Sequence, residues 1–227
     1  MKRLVRFGLL AVLAGVAVRA EALNDILARM DQSARNLRTF SAKMKRTEYT
    51  KILNDKEETD GLRLVKRNNG QTVGIVQFFG QNPQTLRFAG KTVENYYPDA
   101  KLVEVYDAGK FGKMGKQVDQ LLLIGIGVPS ADLRRDFDIM AGGTETIGGK
   151  PTTRIQLIPK DSDLKKQAEK IEMWVPEGES VPVQVKVTRT SGDYNQALYS
   201  EVKVNPALPD SAFELNLPAD VKRKIIK

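Results

Sequence analysis

The chain of 227 residues contains neither cysteine nor histidine. Without histidine there is no imidazole base, and without cysteine there is no thiolate nucleophile, so Ser-His triads and Cys-His pairs are excluded. Metal sites built from histidine or cysteine ligands are excluded for the same reason. Disulfides cannot stabilise the fold either, so a chain of about 200 mature residues must supply a sizeable apolar core.

Carboxylates are the remaining candidates for catalysis. Solvated carboxylates at a protein surface are the ordinary case, and the sequence shows no convergent pair. The sequence therefore predicts a protein that is not an enzyme and that has no cofactor and no metal site. The carboxylates considered lie in predicted loops or at helix edges: Asp107, Asp119, Asp132, Asp136 and Asp138.

Long apolar runs are also scarce. The run from Phe7 to Val18 falls short of the roughly 20 residues that span a bilayer. Basic residues precede it, and Val18-Arg19-Ala20 places small residues where a signal peptidase cleaves. These features predict a signal peptide over residues 1–20 and one mature domain over residues 21–227, soluble in the periplasm.

The basic balance of the chain is partly due to this leader. Cleavage would remove four basic residues and no acidic one, which lowers the formal net charge from +8 to +4. A residual charge of that size, spread among acidic residues, argues only weakly for nucleic acid. We expect a monomer that does not bind nucleic acid.

Strands and turns dominate the second half of the chain, from Gly148 to Pro218. Val181, Val183, Val185 and Val187 alternate with polar residues and proline, which predicts a half-buried antiparallel strand with its other face in water. Turn-forming residues flank this strand, so neighbouring strands can pair as a meander. A sheet with one apolar face needs something to cover that face.

A helix is predicted at the start of the mature chain, over Glu21 to Leu37. Apolar residues recur there at spacings of three and four, which is typical of an amphipathic helix. Period-two alternation then begins at Phe40 and indicates the first strand. Further strands are predicted at Asp60–Arg67, Thr72–Phe79, Gln84–Ala89, Thr92–Tyr97 and Lys101–Asp107.

The middle of the chain breaks this pattern. Gly109–Lys116 reads as a basic, glycine-rich loop that lacks the spacing of a phosphate-binding loop. Gln117–Ile126 is apolar enough for a short buried helix, and a second short helix is predicted from Pro129 to Phe137 with Ser130 as its cap. Asp161–Lys170 indicates a further helical insert between strands.

The alternating strands offer residues that could line an apolar cavity. The same alternation fits an ordinary closed core, and spacing alone favours the core. The candidates are Phe40, Met44, Leu62, Leu64, Ile155, Leu157, Ile171, Met173, Val183 and Val185, with Leu23, Ile26, Leu27 and Met30 of the first helix as a cover.

Several segments together resemble the LolA-like outer-membrane lipoprotein carriers. The resemblance spans nearly the whole mature chain, and it depends on the order and spacing of the segments more than on any single motif. Besides the first helix, the segments are Gly61-Leu-Arg-Leu-Val-Lys-Arg67, Gly90-Lys-Thr-Val-Glu-Asn-Tyr-Tyr-Pro98, Gly149–Lys160, Lys170-Ile-Glu-Met-Trp174 and Leu208–Pro218.

This resemblance implies a mainly β fold with helices: an incomplete antiparallel β-barrel whose strongly curved sheet has a concave apolar face covered by helices. It implies a periplasmic carrier that holds the acyl chains of lipoproteins or related lipids in that cavity. The partners would be an inner-membrane releasing complex and an outer-membrane receptor.

The resemblance also implies a role for Arg67, because a basic residue at the end of the second strand holds the lid in this family. Two positions depart from the family pattern. Asn68 stands where proline is usual, and Glu94 stands where an aromatic residue is usual.

A second function stays open on the sequence. The same concave fold could serve as a periplasmic sensor or accessory domain that detects lipid or mislocalised lipoprotein and regulates a membrane partner. The sequence shows no appended regulatory domain. A third function, an enzyme acting on a lipid, would need a serine or carboxylate site that the sequence does not reveal.

Overall fold

The structure is a computed structural model that describes residues 23–68, 71–107 and 123–226. Twelve strands make up most of this part of the chain. The predicted signal peptide, the loop Gly109–Lys116 and most of the predicted helix Gln117–Ile126 lie outside the described residues.

The strands are β1 Thr39–Thr50, β2 Asp55–Asn68, β3 Gln71–Phe78, β4 Gln84–Ala89, β5 Thr92–Tyr97, β6 Leu102–Asp107, β7 Phe137–Ile147, β8 Lys150–Pro159, β9 Lys170–Pro176, β10 Gln184–Thr188, β11 Tyr194–Val204 and β12 Lys222–Ile226. The helices are α1 (23–36), α2 Ser130–Asp136 and α3 Ser162–Gln167, and 3-10 turns occupy Lys51–Leu53 and Asp210–Phe213.

All twelve strands join one sheet of order β12-β6-β5-β4-β3-β2-β1-β11-β10-β9-β8-β7. The pairing is antiparallel throughout except between β12 and β6, which run parallel. Because β12 and β7 at the two edges do not pair with each other, the curved sheet is not closed into a barrel. The fold predicted from the sequence, a mainly β incomplete barrel with helices, is confirmed.

The long hairpin of β1 and β2 lies at the centre of the sheet. Its register places Phe40 opposite Val65 and Met44 opposite Gly61, so these residues share one face. Only glycine fits at position 61, since a Cβ there would lie 2.5 Å from the Gln77 carbonyl oxygen and 2.9 Å from the Met44 side chain. The hairpin therefore packs tightly where the sheet curves.

The main apolar core lies on the face of the sheet that α1 covers. Residues of α1, β1, β8, β9, β10 and the 123–128 segment meet there, and several of them are completely buried. The opposite face carries a smaller cluster, in which Leu64 and Ile75 pack against Phe213 of the C-terminal segment. Two faces of one sheet are thus covered by different parts of the chain.

Strand β12 is held by ionic contacts as well as by its pairing. Glu94 is buried on β5 and forms ion pairs with Arg87 of β4, at 2.9 Å, and with Arg223 of β12. Removing either cation would leave a poorly solvated carboxylate, which is costly. The unusual glutamate at position 94 therefore ties the parallel edge strand to the sheet.

Three sequence predictions are wrong in detail. Residues 181–185 are all buried, and β10 begins only at Gln184, so this strand has no water-facing side at its start. The second strand, predicted to begin at Asp60, begins at Asp55 instead. Ser130 is the first residue of α2 and not its cap, which is Pro129.

Two strands, β7 and β12, were not predicted. Much of β7 is exposed and contains a register shift between Ala141 and Thr144, which interrupts the alternation that marks a strand. Strand β12 is short and three of its five residues are basic. The strands β4 and β5, by contrast, have the bounds predicted for them.

The burial of the core residues predicts how a substitution there changes stability, and an exposed leucine serves as the matched control. Leu157 is fully buried, whereas Leu53 at the tip of the β1–β2 hairpin is 72% exposed. We expect Leu157→Ala to lower the free energy of unfolding by about 2–5 kcal/mol and Leu53→Ala to change it by less than about 0.5 kcal/mol. Chemical denaturation measures both, and equal losses would contradict the placement of the core.

Candidate functional site

Helix α1 covers the concave face of the sheet with the apolar stripe predicted from its spacing. Ile26, Leu27 and Met30 are buried in the main core, and Leu23 packs against it. The polar positions between them face away, as an amphipathic helix requires. The four residues predicted as a cover thus lie together over the sheet.

Arg67 is placed where its guanidinium contacts two elements of this cover. Its Nη1 donates to the backbone oxygen of Ala34 at 3.0 Å, and its Nη2 donates to the backbone oxygen of Gly127 at 2.8 Å. Ala34 lies in the last turn of α1, where carbonyls have no partner within the helix and carry its negative partial charge. A cation is favoured at that position.

Gly127 allows this contact because it has no side chain. A Cβ at that position would lie 2.9 Å from Leu37 and 3.1 Å from Nη2 of Arg67. The backbone of Arg67 is fixed as well, since its N–H donates to the Arg38 oxygen at 2.7 Å. One side chain therefore connects the end of β2, the end of α1 and the 123–128 segment.

A second connection holds α1, through Asp31. Its carboxylate accepts from the Ser130 N–H at 2.5 Å and from the Ser130 hydroxyl at 2.6 Å. Ser130 begins α2, so Asp31 satisfies one of the N–H groups that a helix start leaves without a partner. Charge-assisted bonds of this kind are stronger than neutral ones.

Further contacts lie along the polar side of α1. Arg29 donates to the Glu179 backbone oxygen at 3.2 Å, and Arg134 donates to the Asn24 side chain at 3.1 Å. Within the described chain, α1 joins no strand and forms no sheet hydrogen bond. Side-chain contacts at a few points, together with apolar packing, keep it in place.

The predicted cavity residues divide into three groups. Leu62 and Leu64 lie on the opposite face, because alternation along β2 turns Arg63 and Val65 inward instead, and they pack with the C-terminal segment. Val183 lies outside the core beneath α1 and lines a depression of about 1290 Å³, which Met44 and Leu62 also border. The other seven belong to the core beneath α1: Phe40, Met44, Ile155, Leu157, Ile171, Met173 and Val185.

A cavity of about 550 Å³ that is partly open to the surface adjoins that core, between α3 and strands β1–β4, β10 and β11. Its volume lies in the range of about 300–1,000 Å³ that is usual for small-ligand sites. Of the predicted residues, only Met44 and Val185 line it. The apolar part of the wall is completed by Val76, Phe78, Leu86, Phe88, Leu164, Val187 and Ala197.

Arginines also line this cavity, and the sequence reasoning missed them. Arg46, Arg63 and Arg189 border it, together with the single carboxylate of Glu48 among the described lining residues. The sequence contained a signal for two of these arginines. The alternation along β1 and β2 that turns Met44 and Val65 inward also turns Arg46 and Arg63 inward. Basic residues on the apolar face of a strand are unusual and mark a site.

A polar network continues the same face of the sheet on β4, β5 and β6. Gln84 donates to Asn95, which donates to the Tyr97 hydroxyl at 2.6 Å. The Tyr106 hydroxyl donates to Glu104 at 2.7 Å, and this bond raises the pKa of Tyr106 to about 12. Burial, followed by the charge of Glu104, raises the pKa of Tyr97. These groups form a polar border beside the apolar cavity.

Comparison with known proteins was made by sequence and by structure. The sequence matches no family model and no curated protein. Among solved structures, an uncharacterized conserved protein from Thermus thermophilus superposes with a TM-score of 0.54 at 11% identity, over 90% of this chain and 99% of that one.

MucB, which has also been solved with MucA from Pseudomonas aeruginosa, superposes with a TM-score of 0.52 at 11% identity. The match covers 85% of this chain but 62% of MucB, so the chain spans about three fifths of the MucB length. The LolA superfamily protein NE2245 from Nitrosomonas europaea matches at 14% identity and a TM-score of 0.42, over 85% of this chain and 97% of that one.

The chain shares its overall fold with the Thermus thermophilus protein and with MucB. At these identities the similarity concerns the fold alone. None of the helices within residues 23–68, 71–107 and 123–226 combines the length and apolar character needed to cross a bilayer.

The contact between Asp31 and Ser130 gives a testable prediction about the mobility of α1. We expect Asp31→Ala to weaken the attachment of α1 by about 1–3 kcal/mol, since it removes two charge-assisted hydrogen bonds. Hydrogen exchange of the α1 amides should then be faster by about tenfold or more, while the β8 and β9 amides keep their protection.

The matched control is Asp25→Ala, on the exposed face of the same helix. It removes the same charge without touching α2. If both variants exchanged alike, the bond to Ser130 would contribute nothing to the position of α1.

Proposed function

We propose that the protein is a periplasmic carrier that holds the acyl chains of lipoproteins or related lipids against the concave face of its sheet. The observation that carries this proposal is the manner in which α1 is held. Its apolar stripe packs on the concave face, and within the described residues its polar attachments are side-chain contacts, among them those of Arg67 and Asn205 to its last turn. A cover attached in this way can be exchanged for a ligand.

The concave face can be covered either by α1 or by an acyl chain, and the free energy gained on burial is of the same order for both. An acyl chain of about fifteen methylenes gains roughly 12 kcal/mol on leaving water, at about 0.8 kcal/mol for each methylene. Burying Leu23, Ile26, Leu27 and Met30 contributes roughly 6–12 kcal/mol, at about 1.5–3 kcal/mol for each side chain. The second sum equals the first only at its upper end, and the difference of up to about 6 kcal/mol is the size of a few charge-assisted hydrogen bonds, so polar contacts can decide which occupant stays.

Arg67 is well placed to decide that balance. Its two hydrogen bonds form only when the last turn of α1 and the 123–128 segment are both seated. A bond to a charged group contributes about 1.5–3 kcal/mol, and about 1.4 kcal/mol changes an equilibrium tenfold. Arg67 therefore favours the closed state and helps to expel the lipid when an acceptor is present.

In this scheme, partner proteins at the two membranes give the transport its direction. An inner-membrane releasing complex would load the protein and an outer-membrane receptor would unload it, in keeping with the family that the sequence resembles. The polar sides of α1 and of the sheet keep the loaded carrier in water.

The first test of this function is chemical identification of the ligand. We expect native mass spectrometry of protein purified from periplasmic extract to show adducts, and solvent extraction followed by lipid mass spectrometry to identify acylated molecules in stoichiometric amount. Protein refolded from denaturant without lipid is the control. Recovery of no acylated compound, even after incubation with lipoprotein or phospholipid vesicles, would contradict the carrier function.

The second test is the substitution Arg67→Leu. We expect the variant to load lipid normally but to release it to an acceptor at least about tenfold more slowly, because closing of α1 no longer competes with the bound lipid. A transfer assay with a labelled lipopeptide measures both steps.

Arg38→Leu is the matched control for this experiment. Arg38 is an exposed arginine whose backbone, not its side chain, contacts Arg67. Release at the same rate from the wild type and from both folded variants would show that Arg67 does not govern the cover.

A further inference from the structure

The cavity of about 550 Å³ beside the α1-covered core combines an apolar wall with three arginines. We propose that it is the seat of an anionic headgroup, so that the preferred cargo is an amphiphile with a carboxylate or phosphate beside its acyl chain. This inference rests on the proposed carrier function and adds the chemical class of the cargo.

Arg63 forms the buried part of the seat. Its side chain is 5% exposed, and its Nη1 donates to the Tyr199 hydroxyl at 2.6 Å. The guanidinium also lies over the rings of Phe40 and Tyr199, at 5.8 Å and 5.5 Å from their centres. These contacts fix the orientation of the charge, and the Tyr199 hydroxyl keeps its own hydrogen for donation to a ligand.

Arg46 forms the more accessible part of the seat. Its guanidinium lies 3.8 Å from the centre of the Phe78 ring and pairs with Glu48 at 3.0 Å. Its Nε is buried and has no hydrogen-bond partner among the described residues. A buried donor without an acceptor is costly, and an anionic oxygen would satisfy it.

A second buried atom without a partner lies in the same cavity. The Asn195 side-chain oxygen finds no donor within the described chain, and Asn195 borders the cavity with Arg46 and Arg189. A headgroup that offers an O–H or N–H beside its anionic oxygens would satisfy both atoms. Hydrocarbon alone would satisfy neither.

The cavity is continuous with the surface that α1 covers. Met44, Phe78, Val185 and Tyr199 line the cavity and also belong to the core beneath α1. An acyl chain that replaced α1 would therefore extend to the cavity and place its polar end at Arg46 and Arg63. Arg63 is buried and Arg46 is partly buried, so solvent screens their attraction for an anion less than it would at a fully exposed surface.

The test compares three probes that have the same acyl chain and different headgroups: myristic acid, myristoyl lysophosphatidylglycerol and monomyristoylglycerol. We expect delipidated full-length mature protein to bind at least one anionic probe about tenfold or more tightly than the neutral one, by isothermal titration calorimetry. The preference should fall as ionic strength rises. Preference for one anionic probe over the other identifies the headgroup as carboxylate or phosphate.

Substitutions of the cavity arginines test whether the preference for anionic probes comes from this cavity. Arg46→Gln and Arg63→Gln should each reduce the affinity for the anionic probe about tenfold and leave the affinity for monomyristoylglycerol unchanged. Lys45→Gln is the control, since Lys45 precedes Arg46 on β1 and points to the other face. If Arg63→Gln does not fold, Arg46→Gln and the salt dependence of the wild type decide the question.

The outcomes separate this inference from the function on which it rests. Equal binding of all three probes would contradict the anionic seat and leave the carrier function standing. Binding of none of them would contradict both. A preference for anions that persists in Arg46→Gln and at high salt would place anion recognition elsewhere and overturn the inference.

Discussion

The need to cover one large apolar surface governs this structure. The concave face of the sheet is too apolar to stay in contact with water, so something must cover it at all times. In the closed protein the cover is α1 together with the 123–128 segment. In the proposed carrier function, every polar contact to α1 would bias the choice between α1 and a bound lipid as the cover of this face. This constraint explains why a helix that joins no strand is packed as well as a core element.

The absence of histidine and cysteine limits the kinds of contact that can attach α1 to the sheet. Histidine, whose unperturbed pKa lies between 5 and 8, is therefore not available as a protonation switch near neutral pH. No disulfide fixes α1 to the sheet either. Among the described residues, the polar attachment of α1 depends above all on the guanidinium of Arg67 and the carboxylate of Asp31.

Alternation and helical spacing predicted much of the fold, because half-buried strands and amphipathic helices leave a regular pattern. The pattern identified α1, β1–β6 and the inward direction of Phe40 and Met44. It failed for Leu62 and Leu64, since apolar residues occur on both faces of β2 and alternation alone does not tell which face is concave. It also missed Asp31 and Arg63, whose partners Ser130 and Tyr199 lie about a hundred or more residues away. Contacts of that range depend on the register of the whole sheet.

Strand β2 carries two arginines on one face and packs against the C-terminal segment with the other. Arg63 and Arg67 project from one face, while Leu64 packs on Phe213 from the other and Lys66 pairs with Asp210. The C-terminal segment thus braces from behind the strand that presents both arginines. In the proposed carrier function, a lipid that reached the concave face would meet arginines held on a strand that is packed from both sides.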